Sequence, residues 1–302
     1  MKVLVVGAGA VGGYFGGKLA RAGEDVTFVA RGEHLDTLKS RGLIIKSYKG
    51  ELALKVNVVS DPARLGDVDL ILMCVKSYST EEATTQCLKN IGENTIILSL
   101  QNGVDNADRI LRITGKDNVL GGVVFISSEL NKSGEILHCY SGKLIIGKRD
   151  GRISDRARKV ASMFEKAHVP CAISNDIQKD LWEKLVWNAA FNSVSAITKS
   201  TMEEMMGCDE TRALIRLTMN EVLSVAKGIG HSLDEQVIEE YLDVPERCQK
   251  MRTSTLQDLL KGKYLEIDAI NGAVIANGKK IGIPTPFNSL LYALLKLINN
   301  KH

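Results

Sequence analysis

The sequence predicts an α/β N-terminal half built on a doubly wound parallel sheet, followed by an all-helical C-terminal half. Three observations carry this reading. Short β-branched runs alternate with helical patterns at first, a glycine-rich turn separates the first strand from the first helix, and strand signals stop after Asp176.

The expected strands are 2–6, 26–30, 70–75, 95–98, 119–124 and 144–146, with a last short strand at 169–173 after an amphipathic helix at 154–166. Residues 43–59 read as a hairpin-like insertion turning at Tyr48-Lys49-Gly50-Glu51, and the stretch around His138 and Gly147 is expected to add edge strands. Beyond Asp176 the helical periodicities cover 177–198, 209–229, 234–241, 251–260, 266–278 and 287–298. Ile283-Pro284-Thr285-Pro286 interrupts them, because proline disfavours helix at the residue before it. The expected domains are therefore 1–174 and 175–302.

Composition bounds the function classes. Apolar residues make up 44% and charged residues 25% of the 302, a mixture that specifies packed cores. The formal charge of +3, from 39 basic and 36 acidic residues, is too small for a general attraction to nucleic acid or membrane. No stretch approaches the roughly 20 apolar residues of a membrane span, and the apolar run after Met1-Lys2 stops at Gly7, so a cytoplasmic protein is expected. Six scattered cysteines without a Cys-x-x-Cys pair read as reduced and mostly buried. His34, His138, His168, His231 and His302 lack metal-ligand spacing, and no catalytic metal is expected.

Gly7-Ala8-Gly9-Ala10-Val11-Gly12 follows a predicted strand and opens a predicted helix, which is the context of a Rossmann dinucleotide site. Gly7 permits the tight turn, Gly9 lets the backbone approach a pyrophosphate, and Gly12 lets helix and strand pack closely. The free N–H groups of the helix N-terminus then face the diphosphate; a glycine turn without ligand is the plainer alternative. The second strand ends at Arg31, where an NAD enzyme would place Asp or Glu against the ribose. A guanidinium there suits a 2′-phosphate and hence NADP(H), although a solvated arginine, with Glu33 near the ribose, stays open. Lys76, at the carboxyl end of another strand, is a further cofactor contact or a plain surface lysine.

Trp182-x-Lys184-Leu185-x-x-Asn188-x-x-x-Asn192 puts Lys184, Asn188 and Asn192 on one face of a helix. Alone, that stripe could be a solvated face. Combined with the glycine motif, Arg31, Val75-Lys76, Gln101-Asn102-Gly103, Ser254-Thr255-Leu256-Gln257-Asp258, Glu266-Ile267-Asp268-x-x-Asn271-Gly272 and Gly282-Ile283-Pro284-x-Pro286, the chain resembles the ketopantoate reductase family over nearly its whole length. The resemblance implies a Rossmann domain joined to a helical domain, with the active site between them. It implies NADPH-dependent reduction of 2-dehydropantoate, a 2-keto acid, in pantothenate and coenzyme A synthesis. It also implies Lys184 as catalytic acid, Glu266 assisting at the substrate oxygens, Asn102, Asn188, Asn192 and Ser254 at the substrate, and Arg31, Lys76 and Asn102 at the cofactor.

The chemistry suits these residue types. Hydride transfer to a keto acid builds negative charge on the ketone oxygen, which an ammonium can both stabilise and protonate. Glu266 could order the site or be a helix-surface acid. Reduction of another 2-keto or 3-hydroxy acid, and a non-catalytic NADP(H) sensor, are the competing readings. A small-molecule substrate is the expected partner, and a homodimer is left open.

Overall fold

The computed structural model describes residues 1–243 and 252–301. Cys248, His302 and the predicted helix start at Met251 lie outside the described residues. The contacts divide the chain into Met1–Gln101 with Asp105–Ile177, and Asn102–Val104 with Gln178–His302. Asn102–Val104 thus groups with the second unit although the first surrounds it in sequence.

The first unit runs β1 (Lys2–Val6), α1 (Ala10–Arg21), β2 (Asp25–Val29), α2 (Gly32–Arg41), β3 (Leu43–Ser47), β4 (Gly50–Leu54), β5 (Asn57–Val59) and β6 (Leu70–Met73). It continues with α3 (Thr80–Gln86), β7 (Ile96–Ser99), α4 (Asn106–Thr114), β8 (Val119–Lys132), β9 (Glu135–Gly147), α5 (Asp155–Lys166) and β10 (Cys171–Ile173). The strands form one mixed sheet in the order β4-β3-β9-β8-β7-β6-β1-β2-β5, with β10 added beside β9. β1 pairs in parallel with both β2 and β6, so the strand order reverses at β1. Its side chains are buried on both faces: Val3 and Val5 join Phe15, Phe28 and Phe164 in one core, while Leu4 and Val6 join Ile71, Met73, Ile97 and Ile110 in the other. A strand covered twice has no need of polar alternation, which is why 3–6 is a plain apolar run.

The predicted Rossmann class is the class found, with local differences. β8 and β9 form one long antiparallel hairpin, far beyond the two short strands expected, and its pairing slips at Phe125/Ile126, Ser127/Ser128 and Leu130/Lys132. Each slip inserts polar or small residues that erase the alternation a sequence reader needs. β9 is not an edge strand: its first part pairs with β3 at Ile44–Ser47 and its last part with β10. The expected 43–59 insertion also divides. β3 and β4 make the hairpin, whereas β5 crosses to pair with β2.

The second unit is helical: α6 (Ile177–Trp187), a π-turn (Asn188–Asn192), α7 (Ser193–Thr198), α8 (Met202–Met206), α9 (Asp209–Gly228), α10 (Gln236–Leu242), α11 (Ser254–Leu260), α12 (Asn271–Ile281) and α13 (Pro286–Asn299). The helix expected at 177–198 is therefore broken by the π-turn. The helix expected from Glu266 begins only at Asn271, because residues 267–270 form turns. Gly282 ends α12 in the left-handed conformation and Pro286 opens α13, which accounts for the proline-rich interruption. No described helix is long and apolar enough to cross a membrane. Cys87 and Cys171 are buried and Cys74 is half-buried, but Cys139 and Cys208 are exposed, so the expectation of mostly buried thiols needs correcting at those two positions.

Candidate active site

The glycine turn leaves the carboxyl end of β1 at the point where the strand order reverses, the position at which open α/β sheets bind ligands. Gly7 has φ +100°, and a Cβ there would lie 2.8 Å from the Val75 amide nitrogen. A Cβ on Gly12 would collide with the Gly7 carbonyl oxygen, so only glycine lets α1 lie this close to the strand. Gly9 differs: a Cβ there would meet nothing within 4 Å. It is the N-cap of α1, with no side-chain cap and no acidic residue in the first turn. Ala8 and Gly12 are buried, whereas Ala10 and Val11 are half-buried at the start of the helix. An open N-terminus with positive dipole character and room beside Gly9 fits a diphosphate.

Arg31 lies just beyond β2 as the N-cap of α2, and Lys76 lies three residues beyond β6, so both stand at carboxyl ends beside the switch point. The Arg31 side chain is 65% exposed and donates to Gln86 Oε1 at 3.0 Å and Glu82 Oε1 at 3.3 Å. Glu33 is exposed one residue into α2. Sequence reasoning passed over His34 as a residue without a metal pattern. Gly134 N–H donates to its Nδ1 at 3.1 Å, which leaves Nε2 as the protonated nitrogen 2.7 Å from the Ala8 carbonyl oxygen. His34 therefore ties the glycine turn to the loop between β8 and β9.

Within the second unit, Lys184 on α6 donates from Nζ to Asn102 Oδ1 at 3.0 Å, and Asn102 Nδ2 reaches Glu266 Oε2 at 3.5 Å. Burial lowers the Lys184 ammonium to about 8, against the opposing pull of the Glu266 carboxylate. Glu266 is itself buried, in the turns before α12, and is not a helix-surface acid. Asn188 and Asn192 are buried in the π-turn, where Asn192 Nδ2 donates to Asn188 Oδ1 at 3.3 Å. Ser254 is exposed at the first position of α11, whose N-cap is Thr253. The chain thus brings Lys184, Asn102 and Glu266 into direct contact and pairs Asn188 with Asn192, while Ser254 stands on a separate element. Gln101, which the sequence offers only as part of the Gln101-Asn102-Gly103 motif, has a task of its own. It is buried, accepts from Ser99 Oγ at 3.1 Å and donates to Thr80 Oγ1 at 2.7 Å, fixing the loop that leads into Asn102. Among the described residues no group of three His, Cys, Asp or Glu side chains is placed to hold a metal ion.

Two family models match: Ketopantoate reductase PanE/ApbA over residues 3–151, and the C-terminal model of the same family over residues 176–299. The chain belongs to the ketopantoate reductase family. As a member, it is an oxidoreductase. It is 34% identical to the 2-dehydropantoate 2-reductase of Archaeoglobus fulgidus over 295 residues, 98% of this chain and 97% of that one. Among solved structures it is similar to the PanE/ApbA family ketopantoate reductase of Ralstonia eutropha JMP134, at 36% identity and TM-score 0.93 over 100% of this chain and 99% of the other. It is also similar to D-mandelate dehydrogenase in a ternary structure with NADH and anilino(oxo)acetate, at 27% identity and TM-score 0.93 over 100% and 99%. The ketopantoate reductase family therefore has structural neighbours that carry a nicotinamide cofactor but differ in the acid named.

Proposed function

We propose that this chain reduces 2-dehydropantoate to pantoate with NADPH, Lys184 acting as general acid. The observation that carries the proposal is a partly buried ammonium held 3.0 Å from Asn102 and beside the buried Glu266, in a member of the ketopantoate reductase family. When bound, reduced nicotinamide supplies a hydride to the keto carbon. The residues proposed to hold the cofactor are the Gly7–Gly12 turn through its backbone amides, Arg31 at the 2′-phosphate, Lys76 and Asn102.

Lys184 provides positive charge where the ketone oxygen becomes negative and delivers its proton there, giving the hydroxy acid and a neutral amine that solvent reprotonates. Asn102 orients the ammonium, and Asn188, Asn192 and Ser254 are the proposed contacts to substrate oxygens. Glu266 opposes the loss of the lysine proton before substrate binds, since its carboxylate favours the ammonium.

Oxidation of NADPH across a panel of 2-keto acids tests the reading, with ketopantoate expected to give the highest kcat/KM. A preference for an aryl 2-keto acid with NADH would instead support the second reading, which the likeness to D-mandelate dehydrogenase favours. No turnover of any 2-keto acid would leave a sensor. We assign the reaction to pantothenate and coenzyme A synthesis in the cytoplasm. The homodimer is tested by sedimentation of the purified chain.

Two further outcomes are expected. Arg31→Ala should weaken NADPH by about 1–2 kcal/mol and NADH much less, the low end of a charge-assisted bond because the side chain is exposed. An equal loss for both cofactors, measured by fluorescence titration, would remove Arg31 from the phosphate. The pH profile follows from the lysine. A donor with pKa about 8 is protonated below that value, so kcat/KM for reduction should be level at lower pH and fall about tenfold per unit above it. Oxidation of the hydroxy acid should rise through the same range. A reduction profile that stays level to pH 10 would exclude Lys184 as the donor.

A further inference from the structure

Asn271 belongs to the Glu266-Ile267-Asp268-x-x-Asn271-Gly272 motif, yet the reaction described above gives it no task. It is wholly buried at the first position of α12, as is Asn288 on α13. Its Nδ2 donates twice, to the Ala189 carbonyl at 2.9 Å and to Asn288 Oδ1 at 3.0 Å, and its Oδ1 accepts from Ser193 Oγ at 2.6 Å. Asn288 Nδ2 in turn donates to Glu221 Oε2 at 2.8 Å. Glu221, on α9, also accepts the backbone N–H groups of Phe287 and Asn288 at 2.8 and 2.9 Å, so one buried carboxylate closes the start of α13.

The orientation of every amide in this chain is determined. A carbonyl can only accept, so the Asn271 amide nitrogen must face Ala189, and its oxygen must then face Ser193. What the network grips is the π-turn. Ser193 N–H is turned to Ala190, and the Ala189 carbonyl receives a side-chain donor from another helix. Ala189 lies between Asn188 and Asn192, and Lys184 lies one turn earlier. A π-turn has poorer intrinsic stability than α-helix, so an external donor that matches its displaced carbonyl favours the wider turn.

We infer that Asn271, backed by Asn288 and Glu221, is a positioning residue that holds the π-turn in the register presenting Asn188 and Asn192 with Lys184. The inference rests on the proposed keto-acid reduction for its kinetic consequence, though not for the local structure. Asn271→Asp keeps the shape and places a second acceptor against both the Ala189 carbonyl and Asn288 Oδ1. It should lower kcat at least about tenfold, since displacement of reacting groups by an ångström carries penalties of this order. Binding of NADPH should stay near wild type, while the thermal midpoint should fall, because the new buried carboxylate faces two acceptors and no donor replaces the lost amide. Amide hydrogen exchange should quicken across residues 188–193 and not across α9. Ser193→Ala, which removes only the partner of Oδ1, should show the same pattern more weakly and covers the case in which Asn271→Asp does not fold. Unchanged exchange at 188–193, or equal acceleration throughout α9, overturns the positioning role. The exchange arm needs no turnover, so it decides the inference even where ketopantoate proves not to be the substrate.

Discussion

Lys184→Ala is expected to lower turnover of ketopantoate by at least ~10²-fold, the usual loss when a general acid is removed. The effect should fall on kcat with NADPH affinity little changed, because, apart from Asn102, the proposed contacts to the cofactor do not bond to Lys184. The variant also removes the cation beside the buried Glu266 carboxylate and the donor to Asn102, so some loss of stability is expected along with the loss of turnover. Asn192→Ala and Ser254→Ala make the contrast. As substrate contacts they should mainly raise KM, since they hold ground and transition states alike. Steady-state kinetics with circular dichroism as a folding check separates the outcomes. Near-normal turnover in folded Lys184→Ala would pass the role of acid to Glu266.

The second large effect concerns the glycine turn, where two glycines should respond in opposite ways. Gly12→Val drives a branched side chain into the Gly7 carbonyl and toward Val5, so α1 must lift from the sheet and stability should fall by about 3 kcal/mol or more. Gly9→Ala meets open space and should cost at most about 1 kcal/mol as a poorer N-cap. Its methyl group nevertheless occupies the room where the diphosphate is proposed to lie. Gly9→Ala should therefore melt near wild type while losing most of its NADPH affinity by calorimetry. A folded Gly9→Ala protein with wild-type affinity would place the phosphates elsewhere.

How far these features could be read from the sequence depended on whether local pattern or tertiary contact decides them. Strand β1 and its turn were legible because an apolar run, a glycine spacing and a helix onset agree within a few residues. The long β8–β9 hairpin was not, since the residues its register skips, Asn131, Cys139 and Gly142, shift the alternation out of phase along both strands. The dipeptide Ser133-Gly134 was a usable turn signal inside it. Lys184, Asn188 and Asn192 could be grouped by spacing, but a spacing of four fits an α-helix and a π-turn almost equally, and the contact of Ala189 with Asn271 is 82 residues distant. His34 left no local trace, and the Gln101-Asn102-Gly103 motif did not disclose what Gln101 holds in place. Each acts through a bond to backbone or a buried side chain that no periodicity encodes.

The π-turn also makes this helix sensitive to length. Five residues stand where a strict α-helix would accommodate four, so deleting Ala189 or Ala190 lets α6 and α7 fuse into one regular helix without breaking the chain. Four α-helical residues would then fill the turn that five fill here, so the two flanking segments would keep the faces they now present. What would disappear is the displaced Ala189 carbonyl that receives the Asn271 amide. A one-codon loss here would be absorbed as a change of pitch, and its cost would fall on the joint between two helices.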